Sequence, residues 1–294
     1  MKKINCVLIF AVALFMGFNA HAAGNKNSFV LFLSDFGTKD DSAAQCKGVI
    51  LSINPETQVI DLTHEIPPFD INFASFLLYD SSKVWPAGSI FLAVVDPGVG
   101  TARNPILLET MSGHYFIGPD NGIFTLAAKK LGVKRITLLE NKKYFRGNPA
   151  STFHGRDVFA SAAGWLSRRG FDPAELGGRL PKIIFLDLKE AIVSTAAVTG
   201  RVMRIEAPYG NVLTNIGEDD VRKAGLAPGS TLHLETQGKE LALPFKTAFG
   251  EVEQGKPLAY INSRGYLSLA VNMGDFAAAY GIKAGAAVRL LKKW

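Results

Sequence analysis

Apolar runs and polar breaks divide the chain into two stretches of different period. Between Ser28 and about Leu180, short continuous apolar runs alternate with longer segments of helical spacing. Phe29 to Leu33 is the first such run. A helical pattern follows from about Asp41 to Ile53 and stops at Pro55, with Thr38 and Asp41 spaced as a capping box at its start. Val59 to Leu62 reads as a buried strand, Ile71 to Tyr79 as a helix, and Ile90 to Val95 as a strand apolar throughout. Further helices are expected near Gly122–Lys130 and Val158–Arg168. Strands with no polar alternation are buried on both faces, the condition of a parallel sheet covered by helices. The pattern predicts an α/β N-terminal domain with a mainly parallel sheet.

After about Thr195 the period shortens. Alternating runs such as Thr231 to Glu235 and Leu258 to Ile261 are separated by Gly, Asn and Pro. This predicts an all-β C-terminal domain, a small antiparallel barrel or sandwich. The expected domains are 28–190 and 195–294, with the boundary between Leu188 and Ala197. Two domains of different class leave a crevice between them, a common ligand position.

The first residues change the expected compartment. Lys2 and Lys3 form a positive start, Val7 to Phe18 an apolar run short for a bilayer, and Ala20-His21-Ala22 a small-residue cleavage site. This is the layout of a secretory signal peptide over residues 1–22, which implies a periplasmic or secreted mature protein. An uncleaved N-terminal anchor is the alternative. Cys6 would leave with that segment, so Cys46 would remain alone, without an internal disulfide or a paired-Cys zinc site. Its apolar helical surroundings favour packing over nucleophilic chemistry. Removing Lys2 and Lys3 lowers the formal charge from +6 to +4, and no block of cations stands out. Nucleic acid is therefore not an expected partner.

Four polar constellations carry the candidate chemistry. Ser34-Asp35-Phe36-Gly37-Thr38-Lys39-Asp40-Asp41 follows a buried strand and opens a helix, where open α/β sheets bind ligands. A carboxylate here can accept both hydroxyls of a vicinal diol; capping by Asp35 and Asp41 is an equal alternative, and a metal a minor one. Val95-Asp96-Pro97-Gly98-Val99-Gly100-Thr101-Ala102-Arg103 is a Gly-rich loop bracketed by an acid and a base that can pair across it. It lacks the Lys-Ser/Thr ending of a phosphate loop. Thr152-Phe153-His154-Gly155-Arg156-Asp157 puts a His at a helix start, while His64, before a Pro-Pro turn, reads as structural. Pro208-Tyr209-Gly210-Asn211 and Asn262-Ser263-Arg264-Gly265 read by themselves as turns.

Together, SDFGTKDDSAAQCKG, VVDPGVGTAR, GPDNG, TFHGRD, YGNVLTNI and INSRGYLSLA resemble the S-adenosylmethionine hydroxide adenosyltransferases, relatives of the enzymes that make 5′-halo-adenosines. The resemblance runs from about Phe29 to Leu291. It implies hydrolysis of S-adenosylmethionine to adenosine and methionine without a cofactor or metal; the alternatives are an exported adenosine- or S-adenosylmethionine-binding protein without turnover, and halide-dependent 5′-halo-adenosine synthesis. It also implies a homotrimer, with each site between one subunit's N-domain and a neighbour's C-domain. Asp96, Arg103 and His154 match the family's water-handling set, which halide-installing relatives replace. The resemblance further puts Asp35 on the ribose hydroxyls, Asp40 near the methionine amino group, and Phe69 and Val99 along the ribose. Tyr209 and Asn211 would face adenine, and Ser263 and Arg264 the methionine end. Two features depart from the pattern: Glu206 stands where relatives commonly have Asp, and the family is mostly cytoplasmic.

Overall fold

The computed structural model describes residues 29–188 and 190–292, so the expected signal segment lies outside the described residues. The N-terminal region runs β1 (Phe29–Ser34), α1 (Ser42–Ile53), β2 (Gln58–Thr63), α2 (Ile71–Ser82), β3 (Ile90–Val94), β4 (Pro105–Thr110), β5 (Tyr115–Pro119), α3 (Thr125–Leu131), β6 (Val133–Leu138) and α4 (Ser161–Ser167). Its six strands are ordered β2-β1-β3-β5-β4-β6. The β2-β1-β3-β5 pairs are parallel, whereas β4 is antiparallel to both of its neighbours.

The uniformly apolar strands have the cause expected. On β1, Val30 and Phe32 face one core with Cys46, Val49 and Ile50 of α1 and Leu166 of α4. Leu31 and Leu33 face the other, with Phe73, Phe76 and Leu78 of α2 and Ala127 of α3. Alternate side chains thus enter different cores, and both must be apolar. Strand β2 departs from its expected burial: it is half-exposed because it lies at the sheet edge. The β4–β5 hairpin is the other addition. A connection of only four residues cannot make a parallel crossover, so β4 runs antiparallel.

The C-terminal region comprises β7 (Ile192–Val193), β8 (Ala197–Glu206), β9 (Asn211–Gly217), α5 (Glu218–Lys223), β10 (Thr231–Thr236), β11 (Lys239–Pro244), β12 (Pro257–Ile261), β13 (Tyr266–Val271), α6 (Phe276–Tyr280) and β14 (Ala287–Leu291). Seven strands follow the order β11-β10-β14-β8-β9-β13-β12, and β7 pairs onto β8. A bridge between Phe245 and Ala259 brings the two ends together into a nearly closed antiparallel barrel around Val198, Val212, Leu232, Leu269 and Val288.

Helix α2 forms the wall between the regions. Phe76 meets Tyr266 edge-on at 5.2 Å, the Arg204 guanidinium lies 4.8 Å from the Phe73 ring centroid, and Asp80 pairs with Arg264. A groove of about 850 Å³ opens beside this wall, lined by residues such as Asp70, Arg201, Glu218 and Lys223. None of the sequence-predicted site residues lines it.

Candidate active site

The site begins at the carboxyl ends of β1 and β3. These strands are parallel neighbours with Ser34 opposite Val94, so the chain leaves the sheet at adjacent points and carries Asp35 and Asp96 out together. Asp35 Oδ2 accepts the Phe69 N–H at 3.0 Å, which joins two site residues far apart in sequence. Among the described residues Asp35 Oδ1 has no hydrogen-bond partner, leaving an acceptor for a diol. Phe69 has φ of 66° and an exposed ring. Such a backbone costs a non-glycine residue about 1–3 kcal/mol and is retained where surroundings enforce it, commonly at ligand sites.

The start of α1 differs from the expected capping box. Thr38 Oγ1 donates to Glu65 at 2.9 Å, Asp41 occupies the N-cap without a side-chain capping bond, and Asp40 accepts the Ser42 N–H at 2.9 Å. That bond holds the Asp40 carboxyl below the usual carboxylate range. The helix therefore begins one residue after Asp41, leaving Thr38 free to tie the loop to the segment beyond β2.

Asp96 and Arg103 form the expected pair across their loop, with side chains only 5% and 8% exposed. Arg103 Nε donates to Asp96 Oδ1 at 2.9 Å, and Nη2 donates to Oδ2. Nη2 also approaches His154 Nδ1 at 3.0 Å. A guanidinium only donates, so Nδ1 accepts and the neutral ring carries its proton on Nε2. Burial first, and the Arg103 charge second, lower the His154 pKa and favour that neutral ring. Arg103 Nη1 is buried without a partner among the described residues. A buried, unpaired donor marks a position for water or a ligand atom.

Two glycines allow this close approach. A Cβ on Gly100, at φ of 77°, would lie 2.7 Å from the Ser151 carbonyl oxygen, so only glycine lets the Asp96 loop rest on the segment before His154. At Gly155 a Cβ would lie 3.1 Å from Val94 Cγ1 and 3.2 Å from Phe36 Cζ. Asp157 braces the turn around His154, accepting from Ala150 N–H at 2.9 Å and Arg156 Nε at 2.7 Å. Arg156 reaches on to Gln45 of α1 at 2.8 Å. The expected helix here opens with a wide π-turn segment, Gly155–Ala160, before α4. These supports were not expected from the sequence; the adjacent Arg156-Asp157 pair, two residues after His154, was the available signal.

His64 is structural. It is buried, its Nδ1 lies 2.7 Å from Ser34 Oγ, and its ring packs edge-on to Phe32. Nε2 is 3.0 Å from Asp61, off the line of a good hydrogen bond. Cys46 is buried in the core, and desolvation pushes its thiol up to about 12.

The C-terminal candidates belong to the barrel region. Val99 belongs to the Asp96 loop, its N–H bonded to the Asp96 carbonyl at 3.2 Å. By contrast, Tyr209 is exposed on the turn before Asn211, which opens β9, and Ser263 and Arg264 lie between β12 and β13. Arg264 is held by Asp80 of α2. Asp80 is ten residues beyond Asp70, about 15 Å along the helix from the end next to Phe69. Among the described residues no hydrogen bond or ion pair joins Tyr209, Asn211 or Ser263 to Asp35, Asp96, Arg103 or His154.

Fold and site define a two-domain protein: a parallel α/β domain with an acid–guanidinium–imidazole chain at its strand ends, joined to an antiparallel barrel. The chain belongs to the S-adenosylmethionine (SAM) hydroxide adenosyltransferase family, whose N-terminal domain model matches residues 30–177 and whose C-terminal domain model matches residues 200–289. It is 38% identical to an (R)-S-adenosyl-L-methionine hydrolase of Thermus thermophilus, over 89% of this chain and 99% of that protein. A fluorinase of an Actinoplanes species is 33% identical over 91% of this chain and 99% of its own. The crystal structure of an uncharacterized conserved protein from Thermotoga maritima superposes with a TM-score of 0.86 at 37% identity, covering 89% of this chain and 99% of the other.

Proposed function

We propose that this protein is an enzyme that hydrolyses S-adenosylmethionine at the 5′ carbon to adenosine and methionine. The observation that carries this reading is the hydrogen-bonded chain Asp96–Arg103–His154 beside the half-open Asp35 carboxylate. Kinship with proteins named SAM hydrolases supports it.

The chemistry asks little of an acid. The sulfonium leaves as a neutral thioether and takes the electron pair of the breaking C5′–S bond. Water must be held behind C5′, and fixed attack geometry supplies about 7 kcal/mol or more. His154 Nδ1 is engaged by Arg103, so Nε2–H faces the task of orienting the water oxygen. Asp96 keeps unshared lone pairs after binding Arg103 and takes the proton as the C–O bond forms. Asp35 holds the ribose hydroxyls, with Phe69 and Val99 along the sugar, and Asp40 faces the methionine amino group.

A neighbouring copy supplies Tyr209, Asn211, Ser263 and Arg264, in a homotrimer; the pairing of Arg264 with Asp80 at the far end of α2 from Phe69 supports this reading. The protein is exported and its first 22 residues are removed; mass analysis of the mature N-terminus tests this.

The second reading, halide transfer, draws on the fluorinase relatives. The internally neutralised Asp96–Arg103 pair offers a halide no net charge, whereas its lone pairs and the imidazole N–H suit water. Product chromatography after incubation with S-adenosylmethionine, with and without chloride or fluoride, tests both. Adenosine and methionine in either condition support hydrolysis; 5′-halo-adenosine replaces that reading, and binding without product removes both.

A further inference from the structure

The GPDNG segment at the end of β5 has no part in the reactions described above, yet it touches the loop that bears Asp96 and Arg103 at both ends. The reason is topological. Strand β5 lies between β3 and β4, so the chain from Val95 to Asn104 must cross over the carboxyl end of β5. At the start of the crossing, Asn121 Nδ2 donates to the Val95 carbonyl at 2.8 Å. At its finish, the Asp120 N–H donates to the Asn104 carbonyl at 2.8 Å. Val95 is fully buried and immediately precedes Asp96.

The staple is itself immobilised. Asn121 Oδ1 accepts the Ile123 N–H at 3.2 Å, and the Asp120 carboxylate accepts the Ile184 N–H at 2.8 Å. A Cβ on Gly118 would fall 2.2 Å from the Ala93 carbonyl oxygen, so the end of β5 sits hard against β3. The strand end and the loop base are therefore tied together by direct contacts.

We propose that Asn121 is a positioning residue for the Asp96–Arg103 pair, acting through the Val95 carbonyl. The inference rests on the hydrolase reading for its kinetic consequence, although not for its geometry. Releasing Val95 lets Asp96 shift, and a displacement near 1 Å at reacting groups costs on the order of 10²-fold.

Two substitutions separate this role from a turn role. Asn121→Asp keeps the Oδ1 acceptor for the Ile123 N–H but sets an oxygen, in place of the donor, against the Val95 carbonyl. Asn121→Ala removes both. Turnover with S-adenosylmethionine is expected to fall about 10–100-fold in kcat for both variants, with KM within about 2-fold of wild type. In an Asp96→Ala background, N121D is expected to cause no further loss, because its effect passes through Asp96.

Wild-type kcat in N121D overturns the proposal, as does a loss confined to N121A, which marks a turn role only. Full multiplication of the N121D and D96A losses overturns it too. A readout without turnover distinguishes its failure from that of the hydrolase reading. His154 faces Arg103, Asp96 and Asp157, so displacement of the loop changes its surroundings. In NMR titration of the apo protein the midpoint of its ring resonance is expected to differ from wild type in N121A, which adds no charge of its own. A midpoint identical to wild type overturns the proposal, whether or not the protein turns substrate over.

Discussion

A double-substitution cycle on Asp96 and Arg103 tests whether the pair is one buried unit. Asp96→Ala leaves a guanidinium 8% exposed, with Nη2 bonded only to His154 and Nη1 unpartnered. Arg103→Met keeps an apolar stem beside Phe159, where the guanidinium carbon now lies 5.1 Å from the ring centroid, but strands the Asp96 carboxylate. Removing one partner of a buried pair costs about 3–5 kcal/mol, largely because the other charge stays buried. Each single variant is expected to lose about 3 kcal/mol. The double variant has no stranded charge, so it should lose well under the sum of about 6 kcal/mol, a coupling of about 2 kcal/mol or more. Urea denaturation at one fixed protein concentration measures this, since any assembly would shift the midpoint by mass action. Turnover should show the same non-additivity, with both singles and the double each down about 10²–10⁴-fold. Additive stability losses, within about 0.5 kcal/mol, would refute the reasoning.

Other consequences follow from the same geometry. Lowering the pH below the ordinary histidine value of about 6.5 draws protons more readily onto unfolded than folded chains, because the His154 pKa is lowered in the fold. The stability from neutral His154 is thus present above that value and lost as pH falls through the lowered one. The acid limb of kcat should track the same titration, and a limb at or above 6.5 in a pH–rate profile would contradict it. Cys46 should resist a thiol reagent in the native protein and react on unfolding, since burial lifts its thiol to about 12; rapid native labelling would show that it is accessible. Co-assembled protomers carrying Asp96→Ala in one chain and Asn211→Ala in the other should recover turnover absent from either variant alone. Failure to recover it in verified mixed oligomers would argue against a site shared between copies.

Much of the fold was legible because burial leaves a periodic trace. Phe29–Leu33 and Ile90–Val95 are apolar at every position because successive side chains enter two different cores, and the sequence displays that directly. The shorter alternation after Thr195 belongs to a barrel with one inner face. Edge position left no such trace: β2 contains apolar residues and is nonetheless half-exposed. The β4–β5 hairpin was equally silent, since parallel and antiparallel strands buried on both sides share a composition.

By itself, the sequence determined which residues are available for chemistry: Asp35, Asp96, Arg103 and His154, each beside a strand end or helix start. It could not determine their protonation or their supports. That His154 Nδ1 accepts from Arg103, that Phe69 hands its N–H to Asp35, and that Asn121 grips Val95 are decided by contacts across 26 to 51 residues of chain. Such contacts depend on strand order and on close approaches permitted at Gly100 and Gly118, which are three-dimensional quantities with no local period. Tertiary structure also gave Arg264 to Asp80, at the far end of α2 from Phe69. A hydrogen bond or an ion pair is specified by a distance of about 3 Å, and only the folded chain sets that distance.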